Sequence, residues 1–158
     1  MSIAQGMARQ DRAAAGSAAF WRYVLWLERL CLAAPTLLFL RIGWKYLSAP
    51  AEVAAGSQMV LGSPEAVTDM RAFGAIFLAV AAIALVSLAA RRRLLAGLTI
   101  VAVVVGFATA ARVLGVVVDG ATPETTFKLI AEIVLLTLTL AGIGLELRRR
   151  RHAHHRTI

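Results

Sequence analysis

Four long apolar blocks limit the folds that this chain can adopt. They cover about residues 23–47, 70–90, 94–118 and 123–147, and each is close to the roughly 20 apolar residues that a helix needs to cross the hydrocarbon core of a bilayer. The strands of an outer-membrane barrel would be shorter and would alternate in hydropathy. The sequence therefore predicts an all-α integral membrane protein, a four-helix bundle of up-down-up-down topology within residues 23–147.

The composition and the segments outside the blocks agree with this prediction. Apolar residues make up 59% of the 158 residues and charged residues only 16%, a balance far from that of a soluble domain. The N-terminal tail 1–22 and the C-terminal tail 148–158 flank the bundle, and loop 48–69 is the one connection long enough to hold structure of its own. Pro50 permits a short amphipathic helix in this loop, and plain coil is the alternative.

The distribution of basic residues predicts the orientation. The net charge of +8 would suggest nucleic acid binding in a soluble protein, but here short arginine clusters flank apolar blocks, which is typical of cytoplasmic loops. Both termini are therefore predicted to be cytoplasmic in a multi-pass protein of the bacterial inner membrane. The predicted cytoplasmic side carries Arg9, Arg12, Arg22, Arg29, Arg91, Arg92, Arg93, Arg148, Arg149, Arg150, Arg151 and Arg156. The predicted outer side carries the acids Glu52, Glu65, Asp69, Asp119, Glu124 and Glu132.

The arginine clusters are predicted to contact anionic lipid on the cytoplasmic side rather than nucleic acid. They comprise Arg91, Arg92, Arg93, Arg148, Arg149, Arg150 and Arg151. The neighbouring His152, His154 and His155 have no fixed scaffold for ligation, so no metal site is predicted, and no cofactor motif is found. A single cysteine, Cys31, allows no intramolecular disulfide.

A cleavable signal peptide is the competing interpretation of the first block, because "LSAPA" resembles a small-residue cleavage region. Glu28, Arg29 and Pro35 would then lie in or beside its apolar core, which disfavours that interpretation. In a retained span, Trp26 and Trp44 stand roughly 27 Å apart along the helix, which matches the two membrane interfaces. The first block is therefore predicted to be a membrane span.

Charged residues collect where the spans are predicted to reach the outer surface. Arg112 and Asp119 lie on one face of the third span, separated by roughly 10.5 Å along the axis. An interfacial anchor is one interpretation of this pair, since arginine can extend its side chain to the interface. A polar cluster that binds a ligand or a partner is the other. The candidate residues of this cluster are Arg41, Arg71, Arg112, Asp119, Lys128 and Glu132.

Glu132 is the charge that most needs an explanation. It lies roughly 12 Å further into the fourth span than Glu124, at a depth where an unpaired carboxylate is costly. An ion pair with Lys128, one turn away, is one explanation. The alternatives are an inward-facing pocket with Arg71 and Arg112, which would hold an anionic head group or relay a proton, and a contact with another subunit.

Small residues predict how the spans pack, because close helix contacts in lipid rely on Gly, Ala, Ser and Thr. The second span carries a stripe of Ala72, Ala75, Ala79 and Ala82. Packing inside the bundle is expected for this stripe, and a homodimer face is the alternative. Glycines expected to allow close contacts elsewhere are Gly97, Gly106, Gly115, Gly142 and Gly144.

Three segments carry a resemblance to a known family: "LRIGWKYLSAP" at 40–50, "MRAFGAIFLAVA" at 70–81 and "ARVLGVVVDGATPE" at 111–124. Together they resemble the bacterial membrane family named domain of unknown function 4345, over about residues 30–146, with DoxX-like proteins as a more distant similarity. The positions that match the family pattern are Gly43, Pro50, Arg71, Gly74, Arg112, Asp119, Gly120 and Glu132. The chain departs from the pattern at Ala75 and at the bulky Trp44–Lys45 pair. The resemblance implies a four-helix fold and no established reaction.

Three function classes follow. We favour a non-enzymatic integral membrane protein, either free-standing or an accessory subunit of a membrane complex, with lipids and protein partners or further copies as contacts. A small proton-coupled transporter would use Glu132 or Glu28. A lipid- or quinone-binding enzyme would use Arg71 and Arg112 as anion clamps, with Asp119 or Glu132 as acid or base.

Overall fold

The part of the chain that the structure describes is almost entirely helical, with short connections between the helices. This computed structural model describes residues 3–154, and the side chains of residues 20–152. Within this part there are five α-helices, one short 3-10 turn and no β-strand. The helices are α1 (Ile3–Ser48), α2 (Pro50–Gly56), α3 (Pro64–Ala89), α4 (Leu94–Asp119) and α5 (Pro123–His154), with the 3-10 turn at Arg91–Arg93.

Four of these helices are long and apolar enough to cross a membrane. The spans are Phe20–Ser48, Pro64–Ala89, Arg91–Asp119 and Pro123–His152. The all-α prediction with four membrane-crossing helices is thereby confirmed, and the chain is a multi-pass membrane protein. Helical structure extends past the apolar blocks, because hydropathy marks the segment that can lie in hydrocarbon and not the length of the helix.

Local sequence signals fix where α3 and α5 begin. The Ser63 hydroxyl accepts a hydrogen bond from the Ala66 amide at 3.2 Å, and Pro64 occupies the first helical position. Thr122 plays the same role for α5, since its hydroxyl accepts from the Thr125 amide at 3.1 Å ahead of the helix. A capping oxygen satisfies a free backbone N–H, and proline at the first position has none to satisfy.

Loop 48–69 holds the short helix α2, so the structure favours the helical alternative over plain coil. α2 packs against α1 and α3, with Pro50 and Ala54 buried. This contact fixes α2 across the end of the bundle at which α1 finishes.

The helices enclose a core in which α1 and α4 are the central pair. α1 contacts α3, α4 and α5, and α4 contacts α3 and α5, whereas α3 and α5 do not touch each other within residues 3–154. Leu32, Leu94, Leu98 and Val101 are fully shielded from solvent at the centre.

Glycines permit the closest helix contacts. A Cβ added to Gly43 would lie 2.8 Å from the Gly74 carbonyl oxygen, and one on Gly74 would lie 2.9 Å from that of Gly43, so α1 and α3 touch backbone to backbone. Gly97 meets Ser87 of α3, and Gly142 meets Cys31 of α1. The close contacts predicted at Gly97 and Gly142 therefore exist.

The alanine stripe does not pack inside the bundle, which corrects one expectation. Ala72, Ala75, Ala79 and Ala82 are exposed, and α3 packs instead through a face that includes Gly74, Val80, Ala81, Ala84 and Ser87. The remaining glycines, Gly106, Gly115 and Gly144, make no close interhelical contact either. When every face of a helix is apolar, the spacing of small residues does not select the face that packs.

Candidate functional site

A cavity of about 510 Å³ opens at the end of the bundle where α1 and α4 finish and α5 begins. This volume is within the range of roughly 300–1,000 Å³ that ligand pockets occupy. Its apolar wall is formed by Leu38, Phe39, Ile42, Val53, Phe77, Val104, Val105, Ala108, Phe127, Ala131 and Leu135. The polar side chains that line it are Lys45, Tyr46, Glu52, Ser57, Arg112, Glu124, Lys128 and Glu132.

The charged lining residues lie toward the end of the bundle at which the cavity opens, and the deepest of them are Arg112 and Glu132. The charged residues come from the last turns of α1, from α2 and α4, and from the beginning of α5. The apolar wall reaches as far as Leu135, about 16 Å along α5 from Glu124. This depth is close to half of the roughly 30 Å hydrocarbon core. The cavity is therefore amphipathic, charged from its mouth down to Arg112 and Glu132 and otherwise walled by apolar side chains.

Arg112 and Glu132 form a two-point ion pair between α4 and α5. The Arg112 Nε donates to Glu132 Oε2 at 2.9 Å, and Nη2 donates to Oε1 at 2.7 Å. The two side chains are 30% and 18% exposed. Two parallel N–H···O hydrogen bonds between a guanidinium group and a carboxylate make such a pair strong and directional. Glu132 has both oxygens engaged, and a carboxylate this deep in a span is stabilised by its partner.

Lys128 is not the partner of Glu132, which corrects the simplest explanation of that charge. It pairs with Glu124, one turn earlier, at 2.5 Å, and its Nζ lies 3.4 Å from the Ser57 hydroxyl. Lys128 is one helical turn from both glutamates, so their spacing on α5 does not distinguish them. The arginine of α4 takes the deeper carboxylate, and Lys128 takes the one at the rim.

The structure brings together only part of the predicted polar cluster. Arg112, Lys128 and Glu132 line the cavity. Arg41, Arg71 and Asp119 are exposed and do not line it, so the pocket that joined Arg71 to Glu132 is not formed. The arginine of α3 faces outward for the same reason as the alanine stripe, because α3 packs through a different face.

A second charge cluster, whose members the sequence does not bring together, lies at the opposite end of the bundle. Glu28 and Glu146 are 0% and 1% exposed, and Arg149 lies between them. The Arg149 Nε donates to both oxygens of Glu28 at 3.0 Å, and its Nη2 donates to Glu146. Arg150 donates from Nε to Glu146 at 2.6 Å and from Nη2 to the Arg92 carbonyl at 3.2 Å. Two carboxylates and two guanidinium groups thus compensate each other.

Two of the arginines that we predict to contact lipid also take part in this cluster. Arg149 joins α5 to α1 with a side chain only 11% exposed, whereas Arg150 reaches the 3-10 turn and remains 46% exposed. Two sequence signals point to the cluster. Glu28 is a charge inside an apolar block, and Glu146 precedes Arg149 and Arg150 by one helical turn. Arg91, Arg92, Arg93, Arg148 and Arg151 are exposed.

Of the three histidines in the C-terminal tail, the structure describes the side chain of His152. The ring of His152 packs against that of Trp21, with 5.0 Å between centroids, while the side chains of His154 and His155 lie outside the described part, as do those of Arg9, Arg12 and Arg156. Among the described residues no group of three or more His, Cys, Asp or Glu side chains is placed to hold a metal ion. Cys31 is a buried free thiol.

Comparison with known proteins gives one match. The family model described as "Domain of unknown function (DUF4345)" matches residues 27–143. The match includes the helix contact at Gly43 and Gly74 and the Arg112–Glu132 pair, and it ends before Glu146. No curated protein and no solved structure matches the chain.

Proposed function

We propose that the chain, which belongs to the DUF4345 family, is a non-enzymatic integral membrane protein that acts by binding an amphipathic molecule in the cavity beside Arg112 and Glu132. The observation that carries this proposal is the form of the cavity, which is about half a membrane deep, has charged side chains from its mouth down to Arg112 and Glu132, and is otherwise walled by apolar side chains. Such a space suits a molecule with an apolar chain and a polar head.

The engagement of the two deep carboxylates favours binding over catalysis or proton transport. Glu132 accepts both of its charge-assisted hydrogen bonds from Arg112, and Glu28 accepts from Arg149 with both oxygens. Transfer of a proton to either carboxylate would break its pairing with a guanidinium group, which disfavours a role as general base or as proton carrier. Both carboxylates are instead held by guanidinium groups and act as structural charges.

The charge distribution supports a specific orientation in a bacterial inner membrane. The exposed arginines Arg91, Arg92, Arg93, Arg148 and Arg151 suit the anionic surface of a cytoplasmic leaflet, where each is worth roughly 1 kcal/mol. In this orientation both termini are cytoplasmic, and the cavity opens toward the outer leaflet.

The proposal is tested by identifying the molecules that stay bound to the purified protein. The tagged chain is extracted from its native membrane in a mild detergent, and native mass spectrometry records every bound species. We expect one small amphipathic molecule per chain. Ala131→Trp fills the cavity and should remove it, whereas Ala141→Trp, at an exposed position on the same helix outside the cavity, should retain it. An empty wild-type protein, or equal occupancy in both variants, would contradict the proposal.

A second candidate, a subunit of a membrane complex, is favoured by the exposed alanine stripe. Ala72, Ala75, Ala79 and Ala82 leave one side of α3 smooth, and small residues let another helix approach closely. A protein partner in fixed ratio in the same preparation would support this role. Ala75→Leu with Ala79→Leu should then release the partner without emptying the cavity.

A further inference from the structure

We infer that the ligand of the cavity is a phospholipid with a zwitterionic phosphoethanolamine head group, placed with one acyl chain inside and its head between Lys45 and Glu52. This inference rests on the proposed binding function and specifies the class of ligand. It follows from the charges left over at the rim, from the way α2 holds one of them, and from the depth of the apolar interior.

The cavity is lined by three cations and three anions, and four of these charges neutralise each other. Arg112 pairs with Glu132 at 2.7 Å and Lys128 with Glu124 at 2.5 Å. The two others, Lys45 and Glu52, line the same mouth, are exposed, and belong to no ion pair among residues 20–152. One free cation and one free anion remain at the mouth, which match the phosphate and the ammonium of a zwitterion.

The position of Glu52 is fixed by the packing of α2. Lys45 lies in the last turn of α1, and Glu52 lies in the first turn of α2. The Ala49 amide donates to the Lys45 carbonyl at 2.9 Å, and the buried Pro50 and Ala54 hold α2 against the bundle. The helix ends that carry the two charges therefore meet at one corner of the bundle, and both charges line the same cavity.

The free carboxylate determines which head group is favoured. A primary ammonium donates hydrogen bonds to a carboxylate, whereas a quaternary ammonium is usually recognised by an aromatic cage. A phosphoglycerol head group brings only negative charge, which Glu52 repels. Phosphoethanolamine is thus preferred over both phosphocholine and phosphoglycerol.

The depth of the interior matches one acyl chain. The wall from the rim to Leu135 extends about 16 Å along α5, and each leaflet contributes about half of the roughly 30 Å hydrocarbon core. A chain whose head group stands at the rim would therefore reach the floor of the cavity near the bilayer midplane.

The test uses the full-length protein in vesicles that contain equal amounts of phosphatidylethanolamine, phosphatidylcholine and phosphatidylglycerol with identical acyl chains. The lipid retained after mild extraction is identified by native mass spectrometry. We expect phosphatidylethanolamine to be enriched about tenfold over each of the others, a difference of about 1.4 kcal/mol.

Charge variants test separately the contact of Glu52 with the ammonium and the contact of Lys45 with the phosphate. Glu52→Gln should abolish the preference for phosphatidylethanolamine over phosphatidylglycerol, and Lys45→Gln should reduce retention of all three phospholipids. Exchange of the two charges, Lys45→Glu with Glu52→Lys, should restore part of the preference. The controls are Arg41→Gln and Glu65→Gln, which change exposed charges outside the cavity and should leave the lipid profile unaltered.

Two outcomes would overturn the inference, and they are distinguishable. If phosphatidylglycerol or phosphatidylcholine is retained as well as phosphatidylethanolamine, or if Glu52→Gln changes nothing, the head-group assignment is wrong. The proposed binding function still holds in that case, provided that Ala131→Trp empties the cavity. If the wild-type protein retains no amphipathic molecule, both the assignment and the proposed function are wrong.

Discussion

The two ion clusters show how single residues make charge tolerable inside an apolar bundle. Glu28 and Glu146 are almost fully buried, so their loss of hydration is large unless cations and hydrogen bonds replace it. Arg149 contacts both of them. Removal of one partner from a buried pair is more damaging than removal of the whole pair, because it leaves an uncompensated charge behind.

Replacement of Arg149 should therefore destabilise the protein much more than replacement of its neighbour. We expect Arg149→Met to lower the free energy of unfolding by about 3–5 kcal/mol, since Glu28 loses the cation that donates to both of its oxygens. Arg148→Met is the matched control, because Arg148 is exposed on the same turn and should change stability by less than about 0.5 kcal/mol. Thermal unfolding in detergent compares the two. Equal losses would show that lipid contact, and not the buried cluster, determines the effect.

The Arg112–Glu132 pair should behave as a coupled unit. Arg112→Met and Glu132→Leu alone each leave one charge in the wall of the cavity, and each should reduce stability by less than the roughly 3–5 kcal/mol of a fully buried pair, because these side chains are partly exposed. The double variant should recover part of the loss, which a double-mutant cycle measures.

The rim pair Lys128–Glu124 provides the control for that cycle. Its side chains are 40% and 49% exposed, and exposed pairs contribute only about 0–1 kcal/mol. A coupling energy for Arg112 and Glu132 no larger than that of this pair would contradict the role given to the deeper pair.

At this scale the sequence identifies the charges that need partners but not the partners they take. Glu132 stands out as a costly carboxylate from its depth in the fourth block alone. Its pairing with Arg112 rather than Lys128 depends on how α4 and α5 are rotated against each other, and that rotation follows from packing along the whole interface. Glu28 and Arg149 are far apart in the chain, so nothing local in the sequence relates them.

At the scale of the helices, the contact between α1 and α3 depends on two glycines. Each glycine lies where a Cβ would come within 3 Å of the backbone oxygen of the other, so the two helices approach as closely as their backbones allow. The resemblance to the family includes both Gly43 and Gly74, whereas the small-residue spacing of α3 indicates the alanine stripe instead. The buried face of α3, which includes Gly74, Ala81 and Ala84, and the alanine stripe both offer small residues. Which of the two faces packs is determined by the partner helix.

Alanine at either of these glycines should force α1 and α3 apart. We expect Gly43→Ala and Gly74→Ala to lower the apparent Tm, because the added methyl group meets a backbone oxygen that cannot move aside. Gly144→Ala is the control, since a Cβ at Gly144 meets nothing within 4 Å, and alanine is favoured over glycine in a helix by roughly 0.5–1 kcal/mol. A Tm for Gly74→Ala at or above that of Gly144→Ala would be evidence against the close crossing.

For the whole molecule, the bilayer explains why the fold is easier to predict than the site. Hydrocarbon requires every backbone polar group to be paired within its own segment, so four apolar blocks of about 20 residues imply four helices. Hydropathy carries no such information about a connection in water, and α2 (Pro50–Gly56) remains one of two alternatives until its packing is seen. The cavity depends on α2 together with all four long helices, and so it cannot be predicted from any one segment.

The orientation of the bundle determines which leaflet the cavity faces. With both termini cytoplasmic, the segment between α2 and α3 is external and the Arg91–Arg93 turn is internal. Cys31 is buried, so Cys31→Ala provides a background for single cysteines at Val60, which is 93% exposed, and at Arg93. A membrane-impermeant maleimide applied to intact cells should label Val60→Cys at once and Arg93→Cys only after permeabilisation. The reverse pattern would invert the bundle, place the charged rim in the cytoplasmic leaflet, and separate the exposed arginines from the anionic surface that we assign to them.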